Sequence, residues 1–246
     1  MAGPTSMLNR LADLRRFYQL LDLLETKLDG KRTLANCDPS VVSPKRGVYF
    51  FFEPEEQRTE SGGGPRVVRV GTHALTAGSK TSLWHRLSQH RGTSGSGGGN
   101  HRGSIFRLIV GSAMKHRSGN SAPESWGVGS APGTAAATLG MERSVIRDAE
   151  KPLEQAVSRY LGAMPLLWLD VDDAPGPDSL RGVIERNSIA LLSNFDRDPL
   201  DCASPKWLGH HSDRERVRKS GLWNNNHVEQ AHDPAFLEAL QAIIDR

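Results

Sequence analysis

Cysteine is scarce in this chain. Its 246 residues include two, Cys37 and Cys202, too few for a disulfide scaffold or a four-thiolate zinc site. Long apolar runs are missing too. None approaches the ~20 residues that a bilayer crossing needs. The N-terminal stretch is broken by Asp13, Arg15, Arg16 and Asp22, so it has no apolar leader core. Charge of one sign is also lacking: 31 Lys and Arg face 28 Asp and Glu, a net of +3, which permits a nucleic-acid partner without requiring one. Aromatic residues make up only 6%, yet 37% of the chain is hydrophobic, which supports a folded core over disorder. The expectation is a soluble, cytoplasmic protein without a membrane segment, built as one sizeable domain with additions.

Periodicity gives the outline. Met7, Leu11, Leu14, Tyr18, Leu21, Leu24 and Leu28 recur at helical spacing, with Thr5 or Ser6 as cap. That helix either lies on the core or pairs with a second copy of the chain. The aromatic run 46–53, between Pro44 and Pro54, reads as a buried strand, and Arg66–Gly71 as its hairpin partner. Helices follow from Thr81 or Ser82, over 104–114, over 150–161, from Asp178 or Ser179 to Leu192, and near 234–244. Residues 166–171 form a third strand candidate. Gly92–Gly99 is nearly all Gly and Ser, and Arg117–Gly140 is rich in Ser, Gly, Ala and Pro, the composition of loop and insertion. The fold class is therefore α+β: a small, about three-stranded antiparallel sheet flanked by helices. The expected division is a helical extension over 1–40, a central domain over 41–200 with an insertion near 92–140, and a Trp-containing extension over 201–246.

Four features carry chemistry. Gly47-Val48-Tyr49 opens the first strand, and Arg69-Val70-Gly71 closes the second. Arg86 and His90 are four residues apart on one helix face, a guanidinium for phosphate beside a titratable ring. Glu185 is an isolated carboxylate in an otherwise apolar helix, either an ion-pair partner for Arg181 or a ligand for a hard cation.

The order of these elements resembles the GIY-YIG nuclease family, over roughly residues 45–200, and within it the Eco29kI-like restriction branch. Gly47, Val48 and Tyr49 follow the first half-motif. In the second, Arg69 stands where the family has tyrosine and Gly71 is kept. The resemblance implies a metal-dependent endonuclease that hydrolyses phosphodiester bonds in DNA, with RNA as the other candidate substrate, in a restriction, defence or repair role. It implies that Tyr49, assisted by His90, accepts or holds the proton of the attacking water. Arg86 would clamp the phosphate, Arg69 would add a phosphate contact, and Glu185 would hold Mg²⁺ or Mn²⁺. Asn194 is the candidate for the family's terminal asparagine. A phenol acting as base needs positive charge nearby, which Arg86 or Arg69 would supply.

Candidate nucleic-acid contacts are Arg69, Arg86, Arg102, Arg107, Lys206, Arg214 and Arg218. Trp207 and Trp223 are either stacking platforms or buried core. His210, His211, His227 and His232 have no carboxylate or cysteine at ligand spacing, which argues against zinc. Asp170, Asp172 and Asp173 are either a solvated loop or a metal-binding strand end. Two other readings stand beside the nuclease: a nucleic-acid-binding module of the same fold with weak or no catalysis, motivated by Arg69, and an assembly protein using the N-terminal helix and the Trp-rich tail, with homodimerisation through that helix.

Overall fold

The computed structural model describes residues 4–42, 46–93, 95, 97–119, 123–176 and 178–246. Pro44 and the side chains of Thr5 and Ser6 lie outside the described set, as do parts of the two Gly- and Ser-rich segments. No helix among the described residues is long and apolar enough to cross a membrane.

The chain is α+β. Strands β1 (Arg32–Thr33), β2 (Gly47–Gln57), β3 (Pro65–Gly71) and β4 (Pro165–Asp170) form one antiparallel sheet in the order β1-β4-β2-β3. The helices are α1 (Pro4–Lys27), α2 (Leu83–Arg91), α3 (Ile105–Arg117), α4 (Pro132–Leu139), α5 (Arg143–Ala163), α6 (Leu180–Leu192), α7 (Glu215–Ser220) and α8 (Phe236–Ile244). The strand beyond the expected three is β1, too short to leave a period in the sequence.

Strand β2 reads as an unbroken apolar run because both faces of the sheet are covered, a pattern more usual in parallel sheets. Val48, Phe50 and Phe52 face a core built from Phe17 and Leu21 of α1, Ile184 of α6 and Leu240 of α8. Tyr49 and Phe51 face a second core containing Leu87 of α2, Phe106 and Val110 of α3, and Leu161 of α5. The N-terminal helix therefore packs on the sheet, burying Leu14, Phe17, Leu20, Leu21 and Leu24. Pro54 does not end β2 as its sequence position suggests. The pairing with β3 becomes irregular between Phe52 and Gln57 and then resumes, because proline offers no N–H to the ladder.

The segment expected as an insertion is partly built into the domain. Trp126 is buried and stacks on His101 with ring centroids 3.9 Å apart, and α4 follows. Helix α5 starts seven residues before the expected 150, with Pro152 in its interior. The tail folds back on β2: Trp207 and Trp223 are buried, and both indole N–H groups donate to Glu53 Oε1, at 3.2 and 2.7 Å. Tyr160 donates to the other oxygen at 2.9 Å. Burial raises the Glu53 pKa, against the pull of these three donors and Arg66. The two tryptophans are thus core, not stacking platforms.

Candidate active site

The register of the hairpin creates the first part of the site. Tyr49 pairs with Gly71 across β2 and β3. A Cβ at position 71 would fall inside the van der Waals shell of the Tyr49 hydroxyl, so only glycine leaves room for the phenol. Gly47 meets a similar constraint, with the Leu169 carbonyl occupying the space of its missing Cβ.

Helix α2 begins at Ser82, whose hydroxyl accepts from the His85 N–H at 3.1 Å, a side-chain N-cap. One face then delivers Arg86 and His90. His90 is fully buried among Tyr49, Phe51 and Phe106. Its Nε2 is 2.9 Å from the Tyr49 hydroxyl, and its Nδ1 is 2.7 Å from Ser104 Oγ. Burial holds its pKa well below the ordinary histidine value, reinforced by the charges of Arg86, Arg69 and Arg107, so the imidazole is neutral. With its proton on Nδ1 toward Ser104, Nε2 presents a lone pair to the phenol.

Arg86 extends into a cavity of about 440 Å³ that Thr72, His85, Gln89, Gly103 and Glu185 also line. Its Nη1 donates to Gln89 Oε1 at 3.0 Å. Glu185, from α6, reaches the same cavity and accepts from the Thr72 N–H at 3.1 Å. Burial raises its pKa, opposed by Arg69, His227, the Thr72 N–H and Arg86. Thr72 is itself fixed by donating from Oγ1 to the Gly47 carbonyl at 2.8 Å. Arg181, one of the two alternatives for Glu185, is engaged elsewhere: it pairs with Asp173 and donates to the His73 carbonyl at 3.1 Å. That pins the loop after β3 to the start of α6 and gives Asp173 a structural role.

Arg69 lies on the Tyr49 face of the sheet, its guanidinium 4.5 Å from the Phe106 ring centroid. Nη1 donates to the Trp223 carbonyl at 2.6 Å, while Nε has no hydrogen-bond partner. Burial lowers its pKa, and the charge of Arg86 adds to this, against Tyr49 and Glu185.

Tyr49, Arg69, Arg86, His90 and Glu185 therefore converge. Arg86 and Glu185 face the cavity, whereas Tyr49 is 1% exposed, behind its wall. Asn194 does not join them. Its Oδ1 accepts from Leu200 N–H and Arg10 at 2.9 and 3.0 Å, and its Nδ2 donates to the Leu200 carbonyl at 2.9 Å, so it closes the turn after α6. Arg107 is fully buried, bonded to Glu154 and to the His90 carbonyl. Arg102 grips Glu150 with two bonds of 2.7 Å. These two arginines brace the loop before α3, their charges taken up by Glu150 and Glu154. Lys206 and Arg218 are exposed and Arg214 partly so.

Sequence reasoning missed Asn224. Its Oδ1 accepts from the Val70 N–H at 3.1 Å and its Nδ2 donates to the Val70 carbonyl at 2.8 Å. With Trp223 N–H donating to the Val68 carbonyl at 2.8 Å, the tail covers the edge of β3. The signal was the triple asparagine directly after a tryptophan.

Among the described residues, no group of three or more His, Cys, Asp or Glu is arranged to hold a metal. His232 pairs with Asp13 and His227 bonds Gln230. A family model described as GIY-YIG domain matches residues 8–246, a span that takes in most of α1 and the whole tail. Comparison with curated proteins and with solved structures gives no match.

Proposed function

The chain belongs to the GIY-YIG domain family, and from that premise we propose that it is a metal-dependent endonuclease hydrolysing phosphodiester bonds in DNA, in a restriction, defence or repair setting. The observation that supports this reading best is the cavity shared by a guanidinium, Arg86, and a carboxylate, Glu185, with the Tyr49–His90 pair directly behind it.

The donor set fits a particular kind of metal. Glu185 is a single hard oxygen ligand on a cavity with room for waters and a phosphate oxygen, which suits Mg²⁺ or Mn²⁺ and not a protein-caged zinc. Such an ion, when bound, would supply positive charge to offset the developing phosphorane.

The residues of the chain do the rest. Arg86 binds the scissile phosphate through its planar fork, held in place by Gln89. Arg69 adds positive charge beside Tyr49 where the family's second tyrosine is absent. The oxygen of the attacking water bonds to phosphorus while its proton passes to the Tyr49 oxygen and the phenol proton to Nε2 of neutral His90; the bond from phosphorus to the leaving oxygen breaks, and that oxygen takes a proton from solvent in the cavity. Because Tyr49 is buried, the cavity wall must part to admit this water. Cutting both strands of a duplex would suit a two-fold assembly, for which Leu8 and Leu23 are exposed on α1.

Incubation with supercoiled plasmid tests the reading. Nicking is expected with Mg²⁺, abolished by EDTA, by Glu185→Ala and by Arg86→Ala. Cleavage by Glu185→Ala equal to that of the parent would overturn it. Arg69 motivates a second reading, a binding module with little or no catalysis. Nucleic-acid binding without nicking on every DNA and RNA substrate, together with nicking gained in Arg69→Tyr, would favour that one.

A further inference from the structure

We propose that the last turn of α3 and the segment 206–218 form one binding surface for the sugar-phosphate backbone of a nucleic acid, separate from the catalytic cavity. The two stretches are distant in sequence and meet in space. His116 donates from Nδ1 to the His211 carbonyl at 3.1 Å, and Arg218 donates to the Ser212 carbonyl at 2.6 Å. Together they present Lys115, Arg117, Lys206, Arg214 and Arg218, all exposed or partly so.

These five cations lie on two stretches that the His116–His211 contact brings together, and none forms a salt bridge among the described residues. Their neighbours do: Arg216 holds Glu229 at 2.8 Å, and Lys219 holds Glu215 at 2.9 Å and Asp196 at 3.1 Å. Of the two carboxylates in residues 204–219, that leaves only Asp213 uncompensated. Cations in the last turn of a helix complement its dipole, which accounts for Lys115 and Arg117. It accounts equally for Arg218, in the last turn of α7, but not for Lys206 and Arg214. A concentration of unpaired positive charge is the footprint of phosphate binding through counterion release.

Helix α3 ties this surface to the cavity. Its cap, Ser104, touches His90, and its last turn carries Lys115 and Arg117. Thirteen residues at 1.5 Å rise give roughly 20 Å between them, about six base steps of a duplex. The proposal rests on the reading of the ligand as nucleic acid, and extends it to where the strand runs beyond the cut.

Binding of a labelled duplex of about two helical turns, measured in EDTA over roughly 50–200 mM salt, tests it. Replacing Lys115 and Arg117 together by Gln is expected to weaken binding by about tenfold or more. It should also reduce the slope of log affinity against log salt by about 1.8, two phosphate contacts' worth. Lys115→Arg with Arg117→Lys should keep the parental slope, and the Mg²⁺-induced thermal shift should stay parental in all variants. An unchanged slope in the double Gln variant overturns the surface while leaving the nuclease reading intact. A parent that binds no duplex, single strand or RNA overturns both.

Discussion

Gly71 and Tyr49 occupy one space between them: the phenol fills the volume that a side chain at position 71 would take. The second half-motif glycine therefore serves the tyrosine of the first. Gly71→Ala is expected to push Tyr49 off His90 and to destabilise the fold by about 1–3 kcal/mol through overpacking. Urea denaturation reads the second effect and plasmid nicking the first. Unchanged stability and nicking would refute the steric link.

His90 sets a pH dependence. Its folded pKa lies below its unfolded value because burial disfavours the cation. Above about pH 6.5 the ring is neutral in both states, and its neutral burial counts fully toward stability. As pH falls below that point, the unfolded chain takes up a proton that the folded chain refuses. Stability then declines by up to about 1.4 kcal/mol per pH unit. Unfolding free energies from pH 8 to 5 should show this decline in the parent, and less of it in His90→Gln.

Glu185 behaves in the opposite sense. Its pKa is raised by burial, so the folded state binds its proton more tightly, and stability falls as pH rises through the window above the ordinary carboxylate value. Burying the ionised group costs stability. Glu185→Gln is expected to melt at a higher temperature than the parent while losing nicking. Adding Mg²⁺ should raise the melting temperature of the parent and leave that of Glu185→Gln where it was.

Asn224 stands in for a neighbouring strand. Asn224→Leu would leave the N–H and C=O of Val70 unpaired in a buried site, at about 1–3 kcal/mol for each group. A lower urea midpoint is the expected result, and Asn224→Gln should recover little, because its longer side chain shifts the amide off register.

The grouping of the candidate site's residues was legible because they answer to local patterns. Tyr49 and Gly71 sit on adjacent strands of a hairpin, Arg86 and His90 on one helical face, and Glu185 alone in an apolar helix. The failures were all questions of partnership. Asn194 was assigned to the site by order along the chain, but Arg10 and Leu200 claim it, and Arg10 comes from a helix at the other end of the sequence. Arg102 and Arg107 look like phosphate ligands until Glu150 and Glu154 of α5 are seen facing them. The fold class was readable from periodicity. β1 was not, because two residues carry no period, and the ordered stretch around Trp126 was hidden by its Gly- and Ser-rich composition.

Glu53 gathers Trp207, Trp223 and Tyr160 onto a single buried carboxylate. The tail is thereby fastened to the central strand, and from there Trp223 and Asn224 reach the second half-motif. Substrate preference in this chain cannot then diversify by exchange of the tail as a module, since a replacement would have to rebuild the sheet's interior. Variation has room on the outward positions of the tail, where Lys206, Arg214 and Arg218 can change without disturbing the carboxylate beneath them.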